Sequence, residues 1–169
     1  MSKPLASDFP VYFGRYISKV DSDSAHDAVT RYADDLAKFY VSLPEAKADH
    51  AYAPGKWTVK EVLQHIIDAE RIFSYRVLRI ARKDQTPLAS FDENSYAENS
   101  LADKRSLAEL KEEFLALRKS TDLLIRSLDS DQLSQQGVAS NNPITANAIV
   151  YIIFGHMLHH KDILEERYL

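Results

Sequence analysis

Apolar residues recur three and four positions apart along four long stretches of this chain, and no stretch alternates convincingly with a period of two. Positions three and four apart share one face of a helix, so the chain reads as rods that each bury one stripe. Glycine points the same way: four in 169 residues is too few for the many tight turns of a sandwich or barrel. The length suits one domain with a core of its own, so residues 1–169 are read as a single domain.

Capping residues mark where the rods begin. Asp23 or Ser24 can cap a first helix from about Ala25 to Leu43, which Pro44 ends. Thr58-Val-Lys-Glu61 has the form of a capping box, and the helix it opens runs to about Lys83. Ser106-Leu-Ala-Glu109 is a second box, opening a helix to about Leu128. A last helix starts near Thr145 and runs almost to the end. Rods of about 19–26 residues are roughly 28–39 Å long. Four of similar length predict an all-α four-helix bundle. Residues 1–22, with Phe9, Tyr12, Phe13 and Tyr16, form an N-terminal extension in which a short helix is expected to pack on the bundle. The connections around Pro87–Tyr96 and Asp129–Pro143 are read as long polar loops, where functional residues tend to gather.

Composition removes whole classes of function. Without cysteine there is no disulfide scaffold, thiolate zinc site, iron–sulfur cluster or catalytic thiol. A net charge of −4 argues against a general nucleic-acid partner. The longest apolar run, Ala148 to Phe154, falls far short of the roughly 20 residues of a membrane span. Met1 to Asp8 lacks the apolar run of a secretion signal. The expectation is a soluble cytoplasmic protein acting on a small molecule, with neither nucleic acid nor membrane as partner.

Histidine carries the chemistry. The last helix contains His156-Met-Leu-His159-His160, and residues three or four apart on a helix are neighbours. On a wheel of about 100° per residue, Ile149, Ile152, Ile153 and Ile163 fall within roughly 60° of His156 and mark the buried face. His160 falls inside that arc at roughly +40°, and His159 at its edge at roughly −60°. His156 and His160 are therefore the chelating pair, with His159 on the flank. A third ligand must come from another rod. His65 shares its face with Val62, Ala69 and Ile72, and Glu61 and Asp68 also lie within about 60° of it. Acidic and imidazole groups on a buried stripe are costly unless paired or bound to an ion. A lone inward histidine more often ends as a hydrogen-bonded core residue, but three histidines on two inward helix faces put a metal site slightly ahead of that reading. Arg71, Arg76 and Arg79 make one side of this helix basic. Arg76 is read as half of a buried ion pair with Asp92 or Glu93, ahead of the alternative that it anchors an anionic substrate. The aromatic residues at helical spacing are read mostly as core, with Trp57 packing at a helix start.

Three segments together resemble the DinB-like family, in its branch of metal-dependent four-helix proteins related to bacillithiol transferases. They are Gly55-Lys-Trp-Thr-Val-Lys-Glu-Val-Leu-Gln-His65-Ile-Ile-Asp68-Ala-Glu-Arg71, the loop Asp84–Leu88 with Phe91–Asn94, and Gly155-His156-Met-Leu-His-His160. The resemblance spans about Ala25 to Leu169, and departs from the family where Lys161-Asp162 replace its usual glycine. It implies an up-down-down-up bundle and one divalent metal, zinc, nickel or iron, on His65, His156 and His160. The activities it implies are transfer of a low-molecular-weight thiol to an electrophile, or metal-dependent hydrolysis. Members without known catalysis imply a metal-binding stress-response protein or dimeric scaffold. Thiol transfer is the leading expectation, and a chain without cysteine must then receive its sulfur from a cosubstrate. Hydrolysis is the alternative, as zinc on three imidazoles lowers a bound water's pKa to about 7. Glu61 and Asp68 are candidates for orienting His65 or moving a proton. A homodimer is expected through exposed helix faces and the aromatic N-terminus.

Overall fold

The computed structural model describes residues 2–169. Two 3-10 turns, Ala6–Asp8 and Val11–Phe13, lead into a single-turn helix α1 (Gly14–Ile17). The long helices are α2 (Ala25–Val41) and α3 (Val59–Ala81); a short α4 (Glu93–Asn99) precedes the third long one, α5 (Leu107–Arg126). A further turn of helix, α6 (Ser130–Leu133), and two strands, β1 (Gln136–Ala139) and β2 (Asn142–Thr145), lead into α7 (Ala146–Arg167).

Local chemistry sets the starts. The Ser24 hydroxyl accepts from the Asp27 N–H at the head of α2. At α3 the Thr58 hydroxyl accepts from the Glu61 N–H, and Glu61 Oε2 accepts the Thr58 N–H at 2.7 Å. Ser106 and Glu109 repeat that exchange at α5, and Thr145 caps α7. Each such cap contributes about 1 kcal/mol by satisfying donors the helix leaves free.

Hydrogen bonds between the rods fix their directions. The Tyr168 hydroxyl, at the end of α7, donates to the Trp57 carbonyl just before α3, at 2.7 Å. Gly137, shortly before α7, lies against Ile80 near the end of α3, so these two helices are antiparallel. Lys60 reaches the Asp103 carbonyl and Glu70 pairs with Arg118, so α3 and α5 advance together. The Tyr151 hydroxyl donates to the Ser22 carbonyl and that of Tyr40 to the Met157 carbonyl, which makes α2 and α7 parallel. Lys111 donates to the Leu43 carbonyl while His26 meets the Ile125 carbonyl, so α2 and α5 are antiparallel. The order is up-down-down-up. α3 packs on α5 and α7, and α2 completes the ring by packing on the same two.

α7 is buried continuously from Ala146 to Met157 and is the centre of the core. Gly155 lets the N-terminal segment reach it: a Cβ there would stand 2.1 Å from the Tyr16 carbonyl oxygen. The close approach seats α1 against α7 beside His156. Lys19 and Asp162 fasten the same segment through an ion pair at 2.6 Å.

Three features depart from the sequence reading. Helices α2, α3 and α5 each stop two residues early, and after α3 Lys83 enters the left-handed region at φ 63°. The first connection contains α4, started by Asp92, whose Oδ1 accepts from the Asn94 and Ser95 N–H groups. The second contains α6 and an antiparallel hairpin, with Gln136 opposite Thr145 and Ala139 opposite Asn142. Ser140 and Asn141 both take positive φ at its turn, as a two-residue hairpin requires. Strands of four residues that include Gly137 and Pro143 are too short to announce themselves by alternation. Leu88 bonds both Val138 and Ser140 through its backbone, which ties the first connection to this hairpin. No helix among the described residues is long and apolar enough to cross a membrane.

Candidate metal centre

His65 lies in the second turn of α3, and His156 and His160 lie one turn apart on α7. The antiparallel packing of those helices makes the rings converge. His156 Nε2 is 3.0 Å from His65 Nε2 and 3.1 Å from His160 Nε2. The ligand atoms of the three all lie within 4.8 Å of one another. His65 and His156 are buried, and His160 is partly buried on the side facing a cavity.

Burial decides their charge. It pulls His65 down to about 4, with His159 adding a smaller push. Burial and then the neighbouring imidazoles drive His156 well below the usual range, and burial with His65 and His159 takes His160 to about 2. All three are neutral at pH 7, the form in which imidazole is a metal ligand. Three neutral rings meeting nitrogen to nitrogen cannot satisfy one another with N–H groups alone, whereas a cation between them takes a lone pair from each. Zinc–nitrogen bonds of about 2.0–2.1 Å put tetrahedral ligands roughly 3.3 Å apart, close to the two short separations here. The residues fit a divalent metal ion, and no acidic residue completes the set among the described residues.

A cavity of about 300 Å³ opens on this cluster. The ring of Trp57 stands 4.8 Å from that of His65, and Tyr16 and Phe73 meet His156 edge-on at 5.5 and 5.9 Å. Tyr12, Phe13 and Phe91 add to the aromatic lining, and Arg76 and Glu93 to the polar part.

The remaining predicted residues lie outside the cluster. Glu61 Oε2 serves the Thr58 cap, accepting from its backbone N–H and its hydroxyl. Asp68 accepts from Gln64 Nε2 at 2.9 Å, and burial raises its pKa. Neither is hydrogen-bonded to a histidine. Arg71 pairs with Glu113 at 2.8 Å. His159 lines the cavity against Tyr16 without joining the three. His26 meets a backbone carbonyl and His50 packs against Tyr168. Arg76 does not form the expected ion pair: its Nη2 donates to the Ala89 carbonyl at 2.6 Å and to Ser140 Oγ at 3.2 Å. Asp92 is taken up by the α4 cap, and Glu93 is exposed. The sequence reading missed Tyr12, Phe13 and Tyr16 as cavity walls; four aromatics within eight residues of a short segment were the available signal.

A three-histidine pocket between antiparallel helices of an up-down-down-up bundle defines a class of protein, and the sequence places this chain within it. The chain belongs to the DinB superfamily, which it matches over residues 28–164. Among solved structures it is similar to YfiT from Bacillus subtilis, described as a probable metal-dependent hydrolase with an unusual four-helix bundle topology. The TM-score is 0.71 at 19% identity, over 97% of this chain and 90% of that one. It is also similar to the mycothiol-dependent maleylpyruvate isomerase, with TM-score 0.64 and 11% identity, over 77% of this chain and 55% of that one. At such identities the likeness speaks for the fold alone. No curated protein sequence matches the chain significantly.

Proposed function

We propose that the protein is a metal-dependent hydrolase of a small molecule, with His65, His156 and His160 as the metal ligands. One observation carries this reading: three neutral imidazoles converge without a fourth protein ligand among the described residues, beside a cavity able to admit a substrate. Closed structural sites use four protein ligands, and catalytic ones keep a position open. A divalent ion held there supplies a Lewis acid that acidifies the water or thiol it binds. The chain's own part is to hold the imidazoles neutral and aimed, and to wall the substrate with Tyr16, Trp57 and Phe73 so that bulk water is reduced around it. Glu61 and Asp68 enter as positioning residues. Glu61 fixes the first turn of α3 through Thr58, and Asp68 steadies Gln64 beside His65. The likeness to YfiT, described as a probable hydrolase, supports this reading.

Thiol transfer by the same ligands is the second reading. It is favoured by the likeness to a mycothiol-dependent enzyme, and with no cysteine in the chain the sulfur would come from a cosubstrate. Protein loaded in turn with zinc, nickel or iron(II) is assayed on a panel of small esters and amides, and on electrophiles with and without a low-molecular-weight thiol. Metal-dependent hydrolysis without thiol, lost in His160→Ala, is the expected result. Turnover that requires the thiol moves the reading to transfer. Full turnover after complete removal of metal overturns both, and metal binding without turnover on either panel favours a non-catalytic metal-binding protein.

A further inference from the structure

Arg76 is a buried cation with which no carboxylate among the described residues forms an ion pair. It is 5% exposed. Burial lowers its pKa below the usual guanidinium value, with the Tyr12 hydroxyl acting the other way. Glu93, the cavity's one carboxylate among the described residues, is exposed and forms no ion pair with it. Leaving a buried charge unpaired is costly, which is why such groups are normally paired. Arg118, equally buried, has both Glu70 and Asp122.

The guanidinium is also held ready. The bonds from Nη2 to the Ala89 carbonyl and Ser140 Oγ fix it to the loop and hairpin that Leu88 ties together. Nε and Nη1 have no acceptor among the described residues, and neither is sealed from solvent. Phe73 and Phe91 flank it, with ring centres 6.0 and 5.9 Å from Cζ. The Phe73 ring is in turn 5.9 Å from that of His156. The guanidinium and the His156 ring thus both stand about 6 Å from the centre of one aromatic ring, in one cavity.

We propose that Arg76 binds a carboxylate of the substrate, so that the substrate class is a small organic anion whose apolar middle lies along Phe73 and whose reacting group faces His65, His156 and His160. Guanidinium forms charge-assisted hydrogen bonds to carboxylate, and the Nε–H and Nη1–H groups left free here can donate them while Nη2 holds the loop and hairpin. The inference rests on the reading that this cavity is the substrate site, and its test measures binding instead of turnover.

The zinc-loaded protein is titrated with phenylacetate and with its neutral isostere phenylacetamide, followed by calorimetry and by emission of Trp57, the chain's single tryptophan. Phenylacetate is expected to bind about ten- to a hundredfold more tightly, the range for a charge-assisted hydrogen-bonded pair. Arg76→Gln should level the two probes with zinc content unchanged, and Arg76→Lys should keep part of the preference. Arg15→Gln, at an exposed arginine of the same cavity, should change affinity less than about threefold, as rim charges do. No preference in the wild type overturns the proposal, as does a preference that survives in zinc-loaded Arg76→Gln, because the carboxylate is then on the metal. If Arg76→Gln fails to fold, the wild-type comparison is repeated after chelation. A preference that outlasts the zinc supports Arg76, and one that vanishes with it overturns the proposal. A protein that keeps the preference but turns over nothing refutes the hydrolase reading and leaves this one standing.

Discussion

Two polar clusters are buried in this bundle, both involving α3, and they are built on opposite principles. Between α3 and α5, Arg118 pairs with Glu70 at 2.8 Å and with Asp122, and stacks its guanidinium 5.0 Å from the centre of the Phe154 ring. That cluster contains its own countercharges and lines no cavity with the histidines. Between α3 and α7, the three imidazoles bring only lone pairs, and they open on a cavity. A cluster that carries its own countercharges holds helices together, whereas one that lacks a cation is built to receive something. Arg76 extends the contrast, being as buried as Arg118 and without its acids.

The largest effect separating the clusters should come from Glu70→Ala. Arg118 is 3% exposed, and removing one partner of such a pair costs about 3–5 kcal/mol. Chemical denaturation should show that loss with metal affinity intact. Replacing both partners together, Glu70→Leu with Arg118→Met, should recover much of the stability. A loss below about 1 kcal/mol in Glu70→Ala would mean that the pair does not hold α3 to α5.

The histidine cluster should respond to acid. The folded-state pKa of His65 is about 4, against 6.5 for the free side chain, and burial is the main cause. The folded protein therefore binds fewer protons than the unfolded chain. The contribution is complete above pH 6.5 and is lost as pH falls toward 4. His156 and His160 shift in the same direction. Urea unfolding of chelator-treated protein between pH 7.5 and 4.5 should lose on the order of 3 kcal/mol from His65 alone. His65→Asn should flatten that slope, and a metal-free wild type with level stability across the range would show that the rings are not buried neutral.

Slightly smaller is the effect of the metal itself. Zinc at a hundred times its dissociation constant should stabilise the folded protein by about 2.7 kcal/mol. His156→Ala should abolish that gain, because His156 Nε2 is the atom closest to both partners. Thermal melts with and without zinc, alongside elemental analysis, measure it. A variant that is stabilised as fully as the wild type would remove His156 from the ligand set.

What the sequence made legible follows from range. Helix starts were readable because Ser24, Thr58, Ser106 and Thr145 act on N–H groups three residues away. The histidines were readable because period 3.6 puts His156 and His160 on the face marked by isoleucine, and His65 on the face of Val62 and Ala69. The Arg118–Glu70 pair was not, because it depends on the parallel register of α3 and α5. Arg76 was misjudged for a related reason: Asp92 and Glu93 are near in sequence, but α4 uses one as its cap and leaves the other at the surface. The N-terminal aromatics were assigned to packing, and only the close approach at Gly155 brings Tyr16 to the site.

The finest distinction concerns Glu61, which the wheel places beside His65 and the structure joins to Thr58. A carboxylate orienting a metal-bound histidine typically changes metal affinity 10–100-fold when removed. A helix cap typically contributes about 1 kcal/mol to stability. Glu61→Ala should therefore lower unfolding free energy by about 1 kcal/mol, and change zinc affinity less than about threefold. Calorimetric titration with zinc, alongside urea unfolding, reads both quantities on one sample. A tenfold fall in affinity would mean that the carboxylate leaves its cap and acts on His65 once the ion is bound, and α3 would then owe its first turn to Thr58 alone.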